Sequence, residues 1–117
     1  MLSDNTSAIT GGLWLCLVTG LVATPVVAQQ VPAREQALIR MVRQDCGSCH
    51  GMHLTGGLGP ALTPTALADK PVESLAATIY GGRPGSPMPP WKAMLSEAEA
   101  TWIAQRLLAG FPQEARK

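Results

Sequence analysis

Hydrophobic and polar positions follow distinct rhythms along this chain. Residues 13–28 are almost wholly apolar, broken only by Thr19, Gly20, Thr24 and Pro25. After Pro32 the pattern changes: Ala37/Met41 and Leu38/Val42 recur one turn apart among polar residues, which predicts a helix over residues 33–44 opened by proline. A second helix is expected over 71–80, stopped by Gly81-Gly82, with a short helical turn before it at 65–68. Ser96-Glu97-Ala98-Glu99 has the form of a capping box, and the helix it opens carries Trp102, Ile103, Leu107 and Leu108 until Gly110 and Pro112 end it. Between these elements, residues 47–63 hold Gly51, Gly56, Gly57, Gly59 and Pro60, and residues 81–90 hold Gly82, Pro84, Gly85, Pro87, Pro89 and Pro90. Both stretches contain too many breakers for regular structure and read as loops. No strand is predicted. The fold class is therefore all-α, with roughly three to five short helices and long loops around something that is not protein.

The apolar run at 13–28 falls short of the ~20 residues needed to cross a bilayer. It ends in Val26-Val27-Ala28 before Gln29, a small-residue cleavage pattern. Residues 1–28 are thus expected to be a signal peptide and 29–117 a single exported domain, which places the protein in the periplasm. The residues before Leu13 include Asp4 and neither Lys nor Arg, so an uncleaved anchor remains the alternative. Cys16, inside the run, reads as a small hydrophobe.

Beyond residue 28 lie all nine basic residues and every acid but Asp4, a small positive excess. Such a balance points neither to nucleic acid nor to insertion in a membrane after signal cleavage. A monomer is expected. A chain this short, in short helices and long loops, buries little apolar area for its length, and a large apolar cofactor would supply the missing core.

Cys46-Gly47-Ser48-Cys49-His50 has the C-x-x-C-H spacing of haem attachment. Two thiols at this spacing can add to the two vinyl groups of one haem while the adjacent histidine reaches the iron. A thioredoxin-type disulfide would need a β-α-β context that is missing here, and a zinc site would need more than Cys46, Cys49, His50 and His53 crowded on one turn and loop. One covalently attached haem c is the expected cofactor, with His50 on its iron.

The other axial position decides whether such a haem carries electrons or meets small ligands. Met52 and His53 are too near His50 in sequence to reach the opposite face of the ring. Met41 and Met94 sit where packing is the simpler reading. Met88 lies in Gly85-Ser86-Pro87-Met88-Pro89-Pro90-Trp91, where prolines stiffen the loop and lower the entropy lost on binding a weak thioether ligand. The iron ligands are therefore expected to be His50 and Met88, the alternative for Met88 being an apolar residue in a proline-rich turn.

Pro60 is a candidate carbonyl acceptor for the second ring nitrogen of His50, or simply a turn proline. Trp91 is a candidate to close the haem crevice and donate to a propionate, or to pack within its loop. Trp102 reads as helix–helix core, and His53 as a solvent-exposed loop residue. No residue is expected to be catalytic, because a peroxidase would need an open distal site with a base and nothing here supplies one. A haem-based ligand sensor is the remaining alternative.

The order of these motifs resembles the class I cytochrome c family over nearly all of residues 29–117. The resemblance rests on the first helix, Cys46 to His50, Gly59-Pro60-Ala61-Leu62, Met88 and the capped last helix. It implies helices around one haem, a crossing of the first and last helices, and Pro60 accepting from His50. Where Arg106 stands many members have an aromatic, so the crossing here would rely on Trp102.

More narrowly, three stretches resemble the NirC-type cytochromes, or cytochrome c55X, of denitrification clusters. They are Asp45 to Met52, Gly56-Gly57-Leu58-Gly59-Pro60-Ala61-Leu62-Thr63, and Gly82 through Met88 to Trp91, to which Leu107-Leu108-Ala109-Gly110-Phe111-Pro112 adds a fourth likeness. That resemblance implies a periplasmic electron donor to cytochrome cd1 nitrite reductase, or a redox helper in maturing its d1 haem.

Overall fold

The computed structural model of the chain describes residues 32–114; the proposed signal peptide lies outside the described residues. Pro32 precedes helix α1 (Ala33–Met41), as its fixed φ and missing N–H suit a helix start. The helix does not stop where the periodicity weakens. It widens into a π-helical turn, Val42–Cys46, and then resumes as α2 (Gly47–His50), which ends at Gly51 with φ 88°. The first part of the stretch read from sequence as loop is therefore helical, since Gly47 adopts ordinary αR geometry with φ −60°.

Helix α3 (Pro64–Leu67) is capped by Thr63, whose hydroxyl accepts from the Ala66 N–H at 3.3 Å. Helix α4 (Val72–Gly81) follows Pro71 and ends at Gly82, φ 69°. Helix α5 (Glu97–Ala109) opens with the expected capping box: the Glu99 N–H donates to Ser96 Oγ at 3.2 Å and the Ser96 N–H to Glu99 Oε2 at 2.8 Å. No strand occurs among the described residues, and no helix there is long and apolar enough to cross a membrane.

Leu38 and Val42 from the first helical run, Ala76 and Ile79 from α4, and Ala100, Ile103, Ala104 and Leu107 from α5 form one buried cluster with Leu54, Leu67 and Leu95. The alanines at 76, 100 and 104 are small enough to let α4 and α5 approach closely, and these two make the most extensive helix pair. α1 is tied to α5 by Arg34 Nε on Glu99 Oε1 at 2.6 Å and by Arg106 facing Glu35 at 3.6 Å.

Trp102, read as core, is half-buried and packs against the edge of the buried cluster. Its ring stands edge-on to Phe111, centroids 6.3 Å apart, under the Arg106 guanidinium at 5.2 Å. Met94, read as a packing residue, is 53 % exposed; its backbone carbonyl instead accepts from Arg34.

Candidate functional site

The helical run through residue 50 presents Cys46, Cys49 and His50 within about one turn. Cys46 is half-buried, Cys49 exposed and His50 buried. Burial, reinforced by the negative charge of Asp45, pushes the Cys46 thiol up to about 11.

His50 Nδ1 lies 2.7 Å from the Pro60 carbonyl oxygen. A carbonyl only accepts, so Nδ1 carries the ring hydrogen and Nε2 keeps its lone pair for a metal. The loop after α2 is folded back to bring Pro60 there: the Gly56 N–H donates to the His50 carbonyl and the Gly59 N–H to the Cys49 carbonyl, each at 2.8 Å. Glycine is required for this closeness. A Cβ on Gly59 would stand 2.7 Å from His50 Cε1, and one on Gly57 would stand 2.8 Å from the Cys49 oxygen. The imidazole thus rests against a backbone methylene on one side.

Met88 is half-buried in a loop fastened at its base. The Arg83 N–H donates to the Met88 carbonyl at 3.2 Å, the Ser86 hydroxyl to the Arg83 carbonyl at 2.7 Å, and the Met88 N–H to Ser86 Oγ at 3.4 Å. Gly82 permits the crossing, since a Cβ there would fall 2.6 Å from Pro90 N and 2.7 Å from the Pro89 carbonyl carbon. Trp91 anchors the far end, its backbone N–H donating to the Ile79 and Tyr80 carbonyls at the end of α4. The Trp91 ring is half-buried against the core, and its indole N–H makes no hydrogen bond among the described residues.

Around these groups, Cys46, Leu62, Val72, Leu75, Tyr80 and Trp91 are apolar side chains only partly covered by protein. Two thiols, an imidazole with a free Nε2 and a fringe of half-covered apolar side chains fit a flat, apolar, iron-bearing ring. No cluster of His, Cys, Asp and Glu among the described residues could hold a bare metal ion.

Comparison with known proteins bears this out. Residues 33–105 match the family described as cytochrome c oxidase, cbb3-type, subunit III. The chain is 54 % identical over 110 residues to cytochrome c55X of Pseudomonas aeruginosa, covering 92 % of each. This chain belongs to the NirC-type, or c55X, family of c-type cytochromes. A solved structure of a c-type cytochrome NirC superposes with a TM-score of 0.67 at 56 % identity, covering 69 % of this c55X-type chain and 95 % of that one. Dihydro-heme d1 dehydrogenase of Pseudomonas aeruginosa is 33 % identical over 103 residues, which span 88 % of this chain and 19 % of that longer protein.

The cofactor of this c55X-type cytochrome is covalently bound haem c with its iron, and Cys46 and Cys49 stand at the attachment spacing. The expected class I cytochrome c fold is the one found, all helical among the described residues. The structure brings His50 and Pro60 into contact, as the Gly59-Pro60 pair suggested. Sequence reading marked Gly82 as a helix stop, which it is, and Gly59 as the partner of Pro60, but not the close approach each allows, which depends on which backbone or ring lies opposite. Sequence reading did not single out Arg43, which lies in the predicted first helix, yet Arg43 is buried, because Phe111 and Pro112 fold back over it.

Proposed function

We propose that this cytochrome is a periplasmic carrier of single electrons to a cytochrome cd1 nitrite reductase, with no substrate turnover of its own. Cys46 and Cys49 would hold the haem as thioethers, and His50 and Met88 would supply the ligands to its iron. The observation that carries the reading is the 2.7 Å contact between His50 Nδ1 and the Pro60 carbonyl, which fixes the tautomer in which Nε2 can serve iron. When bound, the haem supplies the reversible ferric–ferrous couple.

The protein's own residues do the rest. Pro60 fixes the tautomer and orientation of the His50 ring. The stapled loop holds the weak thioether of Met88 in place, and a thioether ligand favours the ferrous state. With His50 and Met88 both on the iron, the chain itself would occupy the positions a small molecule would otherwise take. Trp91 closes the crevice and offers its indole N–H to a propionate. Residues 1–28 act as the export signal, and the mature chain works as a monomer.

A second reading, a redox helper in maturing d1 haem, draws on the similarity to dihydro-heme d1 dehydrogenase. Two measurements test the proposal. The oxidised protein is expected to show a weak near-infrared sulfur-to-iron charge-transfer band that Met88→Ala abolishes, while the haem stays attached and the reduction potential falls. Rapid carbon monoxide binding by the unmodified ferrous protein, with spectrum and potential indifferent to Met88→Ala, would overturn the carrier reading. Stopped-flow mixing with a cd1 nitrite reductase is expected to show electron transfer that slows as salt rises. Absence of transfer at any ionic strength would favour the maturation reading.

A further inference from the structure

Arg43 takes no part in the haem chemistry, yet it is the one permanently charged side chain that is buried among the described residues, at 7 % exposure. Its Nη2 donates to the Phe111 carbonyl at 2.6 Å and its Nε to the Pro112 carbonyl at 3.0 Å. The guanidinium also lies over the Phe111 ring, 5.5 Å from its centroid. No carboxylate of the described residues pairs with it. A guanidinium has five N–H groups, and Nη1 has no acceptor among the described residues. No fully buried polar side-chain atom among the described residues lacks a partner, so Nη1 is not wholly enclosed.

Arg43 lines a half-enclosed cavity of about 180 Å³, together with His53, Thr63 and Gln113 among its polar residues and Leu54 and Leu62 among its apolar ones. The lining contains no acid. Thr63 Oγ1 already accepts from the Ala66 N–H, which leaves its hydroxyl hydrogen free to donate. The Gln113 amide forms no hydrogen bond among the described residues and has two more donors to give. A buried cation without a counter-ion among the described residues, on the wall of a small cavity that also presents donors, suits a planar two-oxygen anion, whose oxygens match the outer guanidinium edge that Nη1 forms with the second Nη2 hydrogen.

We propose that this cavity binds a small planar oxyanion of the carboxylate type through Arg43, with Thr63 and Gln113 as further donors. Leu62 is hydrogen-bonded back to Leu54 at 2.8 Å, and the loop they close contains Pro60. On the haem reading above, an anion there adds negative charge behind the loop that orients His50, which favours the ferric state.

The test is a titration of the ferrous holoprotein with sodium formate, followed by two-dimensional ¹H–¹⁵N NMR, against sodium chloride at matched ionic strength. Formate is expected to move the Arg43 Nε–H and Thr63 amide resonances along a saturating curve that chloride does not reproduce. Arg43→Lys keeps the charge but loses the fork, and is expected to weaken binding at least tenfold. Thr63→Val, which leaves the contacts of Arg43 to the tail intact, is expected to weaken it at least threefold and carries the test should Arg43→Lys fail to fold. Linear shifts that are equal in the two salts, or a formate curve that Thr63→Val leaves unchanged, would reduce Arg43 to an anchor for the C-terminal segment and overturn the proposal. The NMR readout does not depend on the axial ligands, so its failure is separable from failure of the carrier reading.

Discussion

A methyl group added at position 59 would have to share space with the His50 ring, because the built Cβ lies 2.7 Å from Cε1 and 2.8 Å from Nδ1. Both the loop and the imidazole are fixed by hydrogen bonds, Gly59 N–H to the Cys49 carbonyl and Nδ1 to the Pro60 carbonyl, so neither moves without loss. Gly59→Ala is therefore expected to tilt the imidazole and destabilise the holoprotein by about 1–3 kcal/mol, the usual cost of overpacking. The check is the thermal midpoint together with the iron–histidine vibration by resonance Raman spectroscopy; both unchanged would mean the loop yields freely. The sequence marks Pro60 as the carbonyl acceptor for His50 through its place after a glycine, whereas the reason for that glycine is legible only once the ring beside it is seen. Arg43 was illegible for the same kind of reason: its burial comes from the carbonyls of Phe111 and Pro112, some seventy positions away in sequence.

At the level of elements, local signals were read well and cooperative ones less so. The capping box of α5 needs only Ser96, Glu99 and the backbone between them, and both of its hydrogen bonds are present. The helical run through Cys46 was harder, because continuing helix across Gly47 requires a π-helical turn at Val42–Cys46 that no periodicity of 3.6 anticipates. Glu99 has a second duty: it receives Arg34 from α1 at 2.6 Å, and that hydrogen bond, helped by the Ser96 N–H, lowers its carboxyl from 4.5 to about 2. The sign follows directly. A carboxyl with a depressed folded value binds its proton more weakly in the folded state, so its contribution is present above pH 4.5 and is lost as pH falls toward 2. The pair is exposed and the effect is accordingly small. Glu99→Gln is expected to lower the thermal midpoint at pH 6 while flattening its decline between pH 4.5 and 2; an acid profile parallel to that of the parent protein would show that the ion pair contributes nothing.

For the whole molecule, the balance between core and loop explains why a cofactor is built in rather than merely bound. The buried cluster draws on Leu38, Val42, Leu67, Ala76, Ile79, Ala100, Ile103 and Leu107, but it is fringed by Cys46, Leu62, Val72, Leu75, Tyr80 and Trp91, which protein covers only in part. Two long loops, 51–63 and 82–96, cost backbone entropy and return few apolar contacts. Domains of this size are marginal, and a covalently tethered apolar ring that is recognised only by the folded chain shifts the balance as a ligand in excess would. The full chain carrying Cys46→Ala and Cys49→Ala and purified free of haem is expected to show little helix by far-ultraviolet circular dichroism and no cooperative melting. The parent holoprotein, by contrast, is expected to melt cooperatively and to keep its haem through denaturation. A haem-free chain with native helix content and a sharp thermal transition would place enough stability in the protein core alone, and the haem would then be a passenger of the fold rather than its centre.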